Sequence, residues 1–152
     1  MFLSLPLDEY GDFETSLKVE GTSYTAEDYL HGKCNNFAIV LSSMTGLKSG
    51  GFFHVDISLD HEPLCLNHAY CILNDNYVID IAGIRLIETV KEEYGHSDNY
   101  DYEFDDCFEL LEKETRKGQY ARFDKGERVR LRKHITTHIL PLIEQFKFHS
   151  NI

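Results

Sequence analysis

At 152 residues, with 42% hydrophobic and 12% aromatic content, the chain can bury one core and is too apolar to stay disordered, so residues 1–152 read as a single domain. A formal net charge of -11 opposes polyanions, which excludes non-specific nucleic-acid binding and docking on an anionic membrane as functions. No transmembrane run is present, Met1–Leu7 lacks the basic start of a signal peptide, and the four cysteines include no CxxC pair; these features predict reduced thiols in the cytoplasm, with export by a route without a cleavable signal as the other option.

Residues 1–22 read as an extended lead-in with turns at Gly11 and Gly21. Thr25-Ala26-Glu27-Asp28 has capping-box character and predicts a short helical turn through Leu30, stopped at Gly32. Cys34, Phe37, Ala38, Leu41 and Met44 or Thr45 recur at helical spacing and predict a helix over 34–45, with Gly46 as its C-terminal stop. Lys48-Ser49-Gly50-Gly51 reads as a loop, and the alternation over 52–59 as a half-buried strand that ends at Asp60-His61-Glu62-Pro63. Residues 68–73 and 77–82 read as a hairpin around Asn74-Asp75-Asn76. Residues 85–90 continue the sheet or start a helix. An acidic helix is expected over about 104–117, and a longer helix over 126–140 with Leu131, Ile135 and Ile139 on its buried stripe, kinked or ended by Pro141. The acidic stretch 91–114 and the basic stretch 115–134 read as solvated neighbours that pair with each other, the alternative being a basic site for a partner; Tyr94, Tyr100 and Tyr102 within the acidic stretch shield the core edge. A nucleophile helix on a small antiparallel sheet, with further C-terminal helices, gives an α+β domain.

Three residues carry the chemistry. Cys34 opens the 34–45 helix, where free backbone N–H groups and the helix dipole favour a thiolate and can hold an oxyanion. The competing reading of Cys34 is an inert core cysteine, because it lies on the same stripe as Phe37, Ala38 and Leu41. The hairpin bears on that choice. With Asn74-Asp75-Asn76 as a three-residue loop, Leu73 faces Tyr77, Tyr70 faces Asp80, and His68 is the diagonal neighbour of Asp80 on the same face. Asp80 sits in the apolar run Tyr77-Val78-Ile79-Asp80-Ile81-Ala82, where an unpaired carboxylate is costly.

Gly32-x-Cys34 at a helix start, His68 at a strand start and Asp80-Ile81-Ala82-Gly83 on the following strand resemble the papain-like cysteine enzymes. The similarity is to the transglutaminase-like branch, which includes bacterial peptidases, arylamine acetyltransferases and deamidating toxins. It covers roughly residues 24–88. The resemblance implies Cys34 as nucleophile, His68 as general base and then acid, and Asp80 as orienter. Asp28–Lys33 contains no glutamine of the kind papain places before its cysteine, and the chain has no Trp. The Cys34 backbone N–H and an Asn35 or Asn36 side chain are therefore the candidate oxyanion and support groups. The implied activity is acyl transfer from a protein or peptide amide, by hydrolysis, deamidation or transamidation, with no cofactor. The alternative is a non-catalytic protein-binding module, such as a phage- or toxin-encoded inhibitor, that uses the acidic 91–114 surface. His54, Asp56, His61, His68 and Cys71 match no metal-site spacing, and His31 reads as a solvated loop histidine.

Overall fold

The structure, a computed structural model, describes residues 19, 22–54, 64–95 and 101–150. The turns expected at Gly11 and Gly21, the 55–59 half of the first strand and the Pro63 break lie outside the described residues.

Helix α1 spans Ala26–His31 and α2 spans Cys34–Thr45. The capping box forms as the sequence suggests: the Asp28 N–H donates to Thr25 Oγ1 at 3.3 Å, and the Thr25 N–H donates to Asp28 Oδ2 at 2.9 Å. Gly46 ends α2 in the left-handed region at φ 77°, and its N–H donates to the Ser42 carbonyl.

Strands β1 (Ser49–His54), β2 (Cys65–Ile72), β3 (Tyr77–Asp80), β4 (Gly83–Leu86) and β5 (Asp101–Phe104) form an antiparallel sheet in the order β4-β3-β2-β1-β5. Three strand boundaries differ from expectation. β1 starts at Ser49, so Gly50 and Gly51 belong to a strand and not to a loop. A Cβ on Gly50 would lie 2.7 Å from Tyr70 Cε1 and 3.0 Å from the Phe104 carbonyl oxygen, so only glycine lets Tyr70 cross β1 there. β2 starts at Cys65, before His68. β3 ends at Asp80, and a turn at Ile81-Ala82 leads into β4; residues 85–90 thus serve both readings, as the end of β4 and the start of α3 (Ile87–Tyr94).

The two sheet faces bury different residues, as alternation requires. Ala69, Cys71, Ile79 and Phe53 pack with α2 and the C-terminal helices. Phe52, Tyr70 and Val78 face the other way, onto Val90, Ile87 and Tyr94 of α3. Helix α4 (Phe108–Lys117) begins later than the expected start near 104, because β5 extends through Phe104 and a short bend over 105–107 follows it.

The C-terminal helix does not stop at Pro141. It runs as α5 (Glu127–His134), a π-helical turn (Ile135–Ile139) and α6 (Leu140–Ser150). The Leu140 N–H reaches back five residues to the Ile135 carbonyl. This widened turn lies directly before the proline, whose ring would crowd the carbonyl four residues back in a regular helix. The predicted stripe of Leu131, Ile135 and Ile139 is fully buried. Among the described residues no helix is long and apolar enough to cross a membrane.

Candidate active site

The hairpin adopts the predicted register. Cys71 pairs with Ile79 and Ile72 with Val78, and the Leu73 N–H donates to the Tyr77 carbonyl at 3.0 Å. That register brings His68 Nε2 to 2.9 Å from Asp80 Oδ2. A second feature aims the ring. On β1, Phe52 faces His68 and Phe53 faces Leu66, so Asn67 is an extra residue and β2 bulges immediately before the histidine. Asn67 holds the bulge through His54 Nδ1 and through its Nδ2–H, which donates to the Tyr94 carbonyl at 2.9 Å.

His68 is fully buried. Its Nδ1–H donates to the Leu30 carbonyl at 3.1 Å, and the Tyr94 ring stacks on it at 4.0 Å with a 12° interplanar angle. Both ring nitrogens therefore face acceptors, and only the imidazolium can donate from both. Burial is the largest single influence on its pKa and pulls it down. The hydrogen bond to Asp80, the charge of that carboxylate and the influence of the neighbouring Cys34 thiol together outweigh burial and push His68 up to about 9. Asp80 is itself buried. Its Oδ1 accepts the Ala82 N–H at 2.9 Å, and Arg85 Nη1 lies 3.8 Å from its Oδ2. Asp80 thus holds the imidazole with one oxygen and the turn into β4 with the other.

Cys34 is the first residue of α2, so its N–H and that of Asn35 have no acceptor within the helix. It is 5% exposed and lines a cleft of about 390 Å³ with His31, Leu64, Cys65, Asn67 and Gln119. The other two buried thiols, Cys71 and Cys107, are each pushed up to about 12, chiefly by burial. Cys71 donates to the Ala38 carbonyl at 3.4 Å and is a core cysteine.

Asn35 spends both of its side-chain N–H groups, and Asn36 one of its two, on the loop after α4. Asn35 Nδ2 donates to Thr115 Oγ1 at 2.8 Å and to the Ala121 carbonyl at 2.9 Å, and Asn36 Nδ2 donates to the same carbonyl at 3.0 Å. Lys33 Nζ donates to the neighbouring Arg122 carbonyl at 3.1 Å and pairs with Glu127 Oε1 at 3.1 Å. Residues 33, 35 and 36 therefore clamp the loop after α4 onto the start of α2. That loop carries Gln119, Tyr120 and Ala121 along the wall of the Cys34 cleft. Tyr120 Oη donates to the Leu64 carbonyl at 2.7 Å and ties the wall to the start of β2.

Gln119 is the cleft residue that the sequence pattern does not reveal. The local signal is Gly118, which ends α4 at φ 82° and turns the chain back, with the Gln119 N–H donating to the Glu114 carbonyl at 3.0 Å. The distance in sequence from Cys34 hides the rest. His31 is exposed, as expected, but it ends α1 rather than lying in a loop, and its ring lies 5.8 Å from that of Tyr94. Among the described residues no group of three or more His, Cys, Asp or Glu side chains is placed to hold a metal ion; Asp56 and His61 lie outside them.

No family model, no curated protein and no solved structure matches the chain.

Proposed function

We propose that the protein is a papain-like, transglutaminase-like cysteine enzyme that transfers the acyl group of a protein or peptide amide through Cys34, His68 and Asp80. The observation that carries this reading is the doubly held imidazole. His68 is bound by Asp80 on one nitrogen, and its pKa is raised by both Asp80 and the thiol at the start of α2. An inert core cysteine has no use for a buried imidazolium at its side.

In the first step Cys34 Sγ, as thiolate, attacks the amide carbonyl carbon, and the carbonyl electron pair moves onto oxygen. The Cys34 and Asn35 backbone N–H groups stabilise that oxyanion, with the Gln119 side-chain amide on the facing wall as a third donor. Nε2 is held by the Asp80 carboxylate, so the proton given to the leaving amine comes from Nδ1 of His68, whose N–H exchanges its resting acceptor, the Leu30 carbonyl, for the amine. The C–N bond breaks, the amine leaves and a Cys34 thioester remains. Water or a second amine then attacks the thioester, with His68 taking the incoming proton. The four cysteines are free thiols, which supports work in a reducing, cytoplasmic setting.

The test is acylation by p-nitrophenyl acetate at neutral pH, followed by intact mass and peptide mapping. One acetyl group on Cys34, absent from Cys34→Ala and much slower in His68→Gln, is the expected result. Acetylation first at Cys65, or equal rates in wild type and His68→Gln, overturns the reading and favours a binding module on the same fold.

A further inference from the structure

Helix α3 ends against the imidazole of His68. Its last residue, Tyr94, is half-buried, and its ring lies nearly parallel to that of His68, with centroids 4.0 Å apart and planes 12° apart. At that separation the two rings touch, so Tyr94 closes off one face of the imidazole. The backbone of the same residue holds the neighbouring strand. The Tyr94 carbonyl accepts the Asn67 Nδ2–H at 2.9 Å, and Asn67 is the extra residue of the β2 bulge directly before His68. Val90 of α3 is buried with Phe52, Tyr70 and Val78, which anchors the helix to the sheet. Packing alone does not ask for a tyrosine at the helix end. An aliphatic side chain covers a ring equally well, but a π face over an imidazolium also attracts its charge. Burial pushes Tyr94 up to about 12, so it stays a neutral phenol while His68 titrates.

We infer that Tyr94 is a positioning residue for the proton transfer, its ring the surface along which the His68 imidazole shifts from the Leu30 carbonyl to the leaving amine. The inference rests on the acyl-transfer reading. At rest, Nε2 lies 2.9 Å from Asp80 Oδ2 and Nδ1 lies 3.1 Å from the Leu30 carbonyl. To deliver its proton, Nδ1 has to leave the carbonyl while Nε2 keeps the carboxylate. Rotation about the Cβ–Cγ bond would turn the ring out of its plane and into Tyr94. What remains is a small shift within the plane, taken up at the bulge, and the stack persists through it. The tie from Asn67 to the Tyr94 carbonyl makes the two rings move together. The charged and titratable groups around this pair are Asp80 on β3, Arg85 on β4 beside Asp80, Cys34 at the start of α2, and His31 of α1, whose ring lies 5.8 Å from that of Tyr94. Substitutions at Tyr94 leave all four in place.

The test compares Tyr94→Leu and Tyr94→Phe with wild type, using p-nitroacetanilide and p-nitrophenyl acetate. Both deliver an acetyl group to Cys34, but the anilide nitrogen leaves only with a proton and the phenolate leaves without one. Tyr94→Leu is expected to slow the anilide about tenfold more than the ester. The His68 Hε1 signal in NMR, identified by its loss in His68→Gln, reads the imidazole directly. Its titration midpoint should fall by about one pH unit in Tyr94→Leu. Tyr94→Phe, which keeps the ring, restores both the rate ratio and the midpoint. Equal slowing of the two substrates, as a general structural defect produces, overturns the inference. So do equal rates in wild type and Tyr94→Leu, or an unmoved midpoint. A wild-type chain that takes no acetyl group onto Cys34 from either substrate overturns the acyl-transfer reading itself, and this inference with it.

Discussion

Asp80 decides how His68 is held, and so how the site responds to pH. The pair was legible in the sequence because a three-residue loop fixes the register and the register fixes the face. The bulge at Asn67 was not legible, since it arises from a mismatch between β1 and β2 that neither strand shows alone. The His68 pKa rises on folding from an ordinary 6.5 to about 9. The folded state therefore holds a proton that the unfolded chain releases, and this contribution to stability is complete below about pH 6.5 and is lost as pH rises through about 9. A buried group shifted this far contributes up to about 3 kcal/mol. Urea unfolding at about pH 6 and about pH 10 should show wild type losing stability on the alkaline side, beyond the loss seen in His68→Gln. Asp80→Asn should flatten the same slope and slow Cys34 acylation while the fold persists at neutral pH. A slope that is unchanged in both variants would place the titration elsewhere.

Between elements, the start of α2 does more than present a thiol. Lys33-Cys34-Asn35-Asn36 places the Cys34 thiol and, through the three residues around it, fixes the loop that walls the cleft. The helix itself was readable from its apolar stripe and Gly46, but the clamp was not, because its acceptors are backbone carbonyls nearly ninety residues away. Glycines misled the reading of β1 for a related reason: Gly50 resembles a loop until Tyr70 is seen lying across it. The Lys33–Glu127 pair is almost wholly withdrawn from water, with side-chain exposures of 11% and 1%. Glu127 also accepts from Tyr29 Oη at 2.6 Å and from the Asp124 N–H at 2.8 Å. Removing Lys33 alone strands the carboxylate. Lys33→Met should destabilise the protein by about 3 kcal/mol. Adding Glu127→Gln, which keeps an acceptor for Tyr29 or Asp124 but removes the charge, should recover part of that loss. Chemical denaturation of the two singles and the double gives the coupling energy, and simple additivity would show that the pair carries no buried-charge interaction.

Across the molecule, charge followed topology more than sequence neighbourhood. Glu93 pairs with Arg85 and Glu103 with Lys91, not with the basic 115–134 stretch expected to face them. Linear proximity in the sequence does not say which helix faces which strand. Hydrophobic period was the better guide, since Leu131, Ile135 and Ile139 reach the same core as Ala38 and Leu41 of α2. The C-terminal helices also supply Glu127, the counter-ion of the lysine that precedes Cys34. Ending the chain at Gly126 should therefore do two things at once. It uncovers the α2 side of the core, and it leaves Lys33 buried without its carboxylate. The losses exceed the stability of an ordinary domain, about 5–15 kcal/mol, so the truncated chain should lack a cooperative thermal transition and near-ultraviolet circular dichroism. Its Cys34 should then react with iodoacetamide at the same rate as Cys65, Cys71 and Cys107. A truncated chain that still melts cooperatively, with Cys34 acylated selectively, would show that α1–α4 and the sheet fold alone and that α5 and α6 are additions to a complete site.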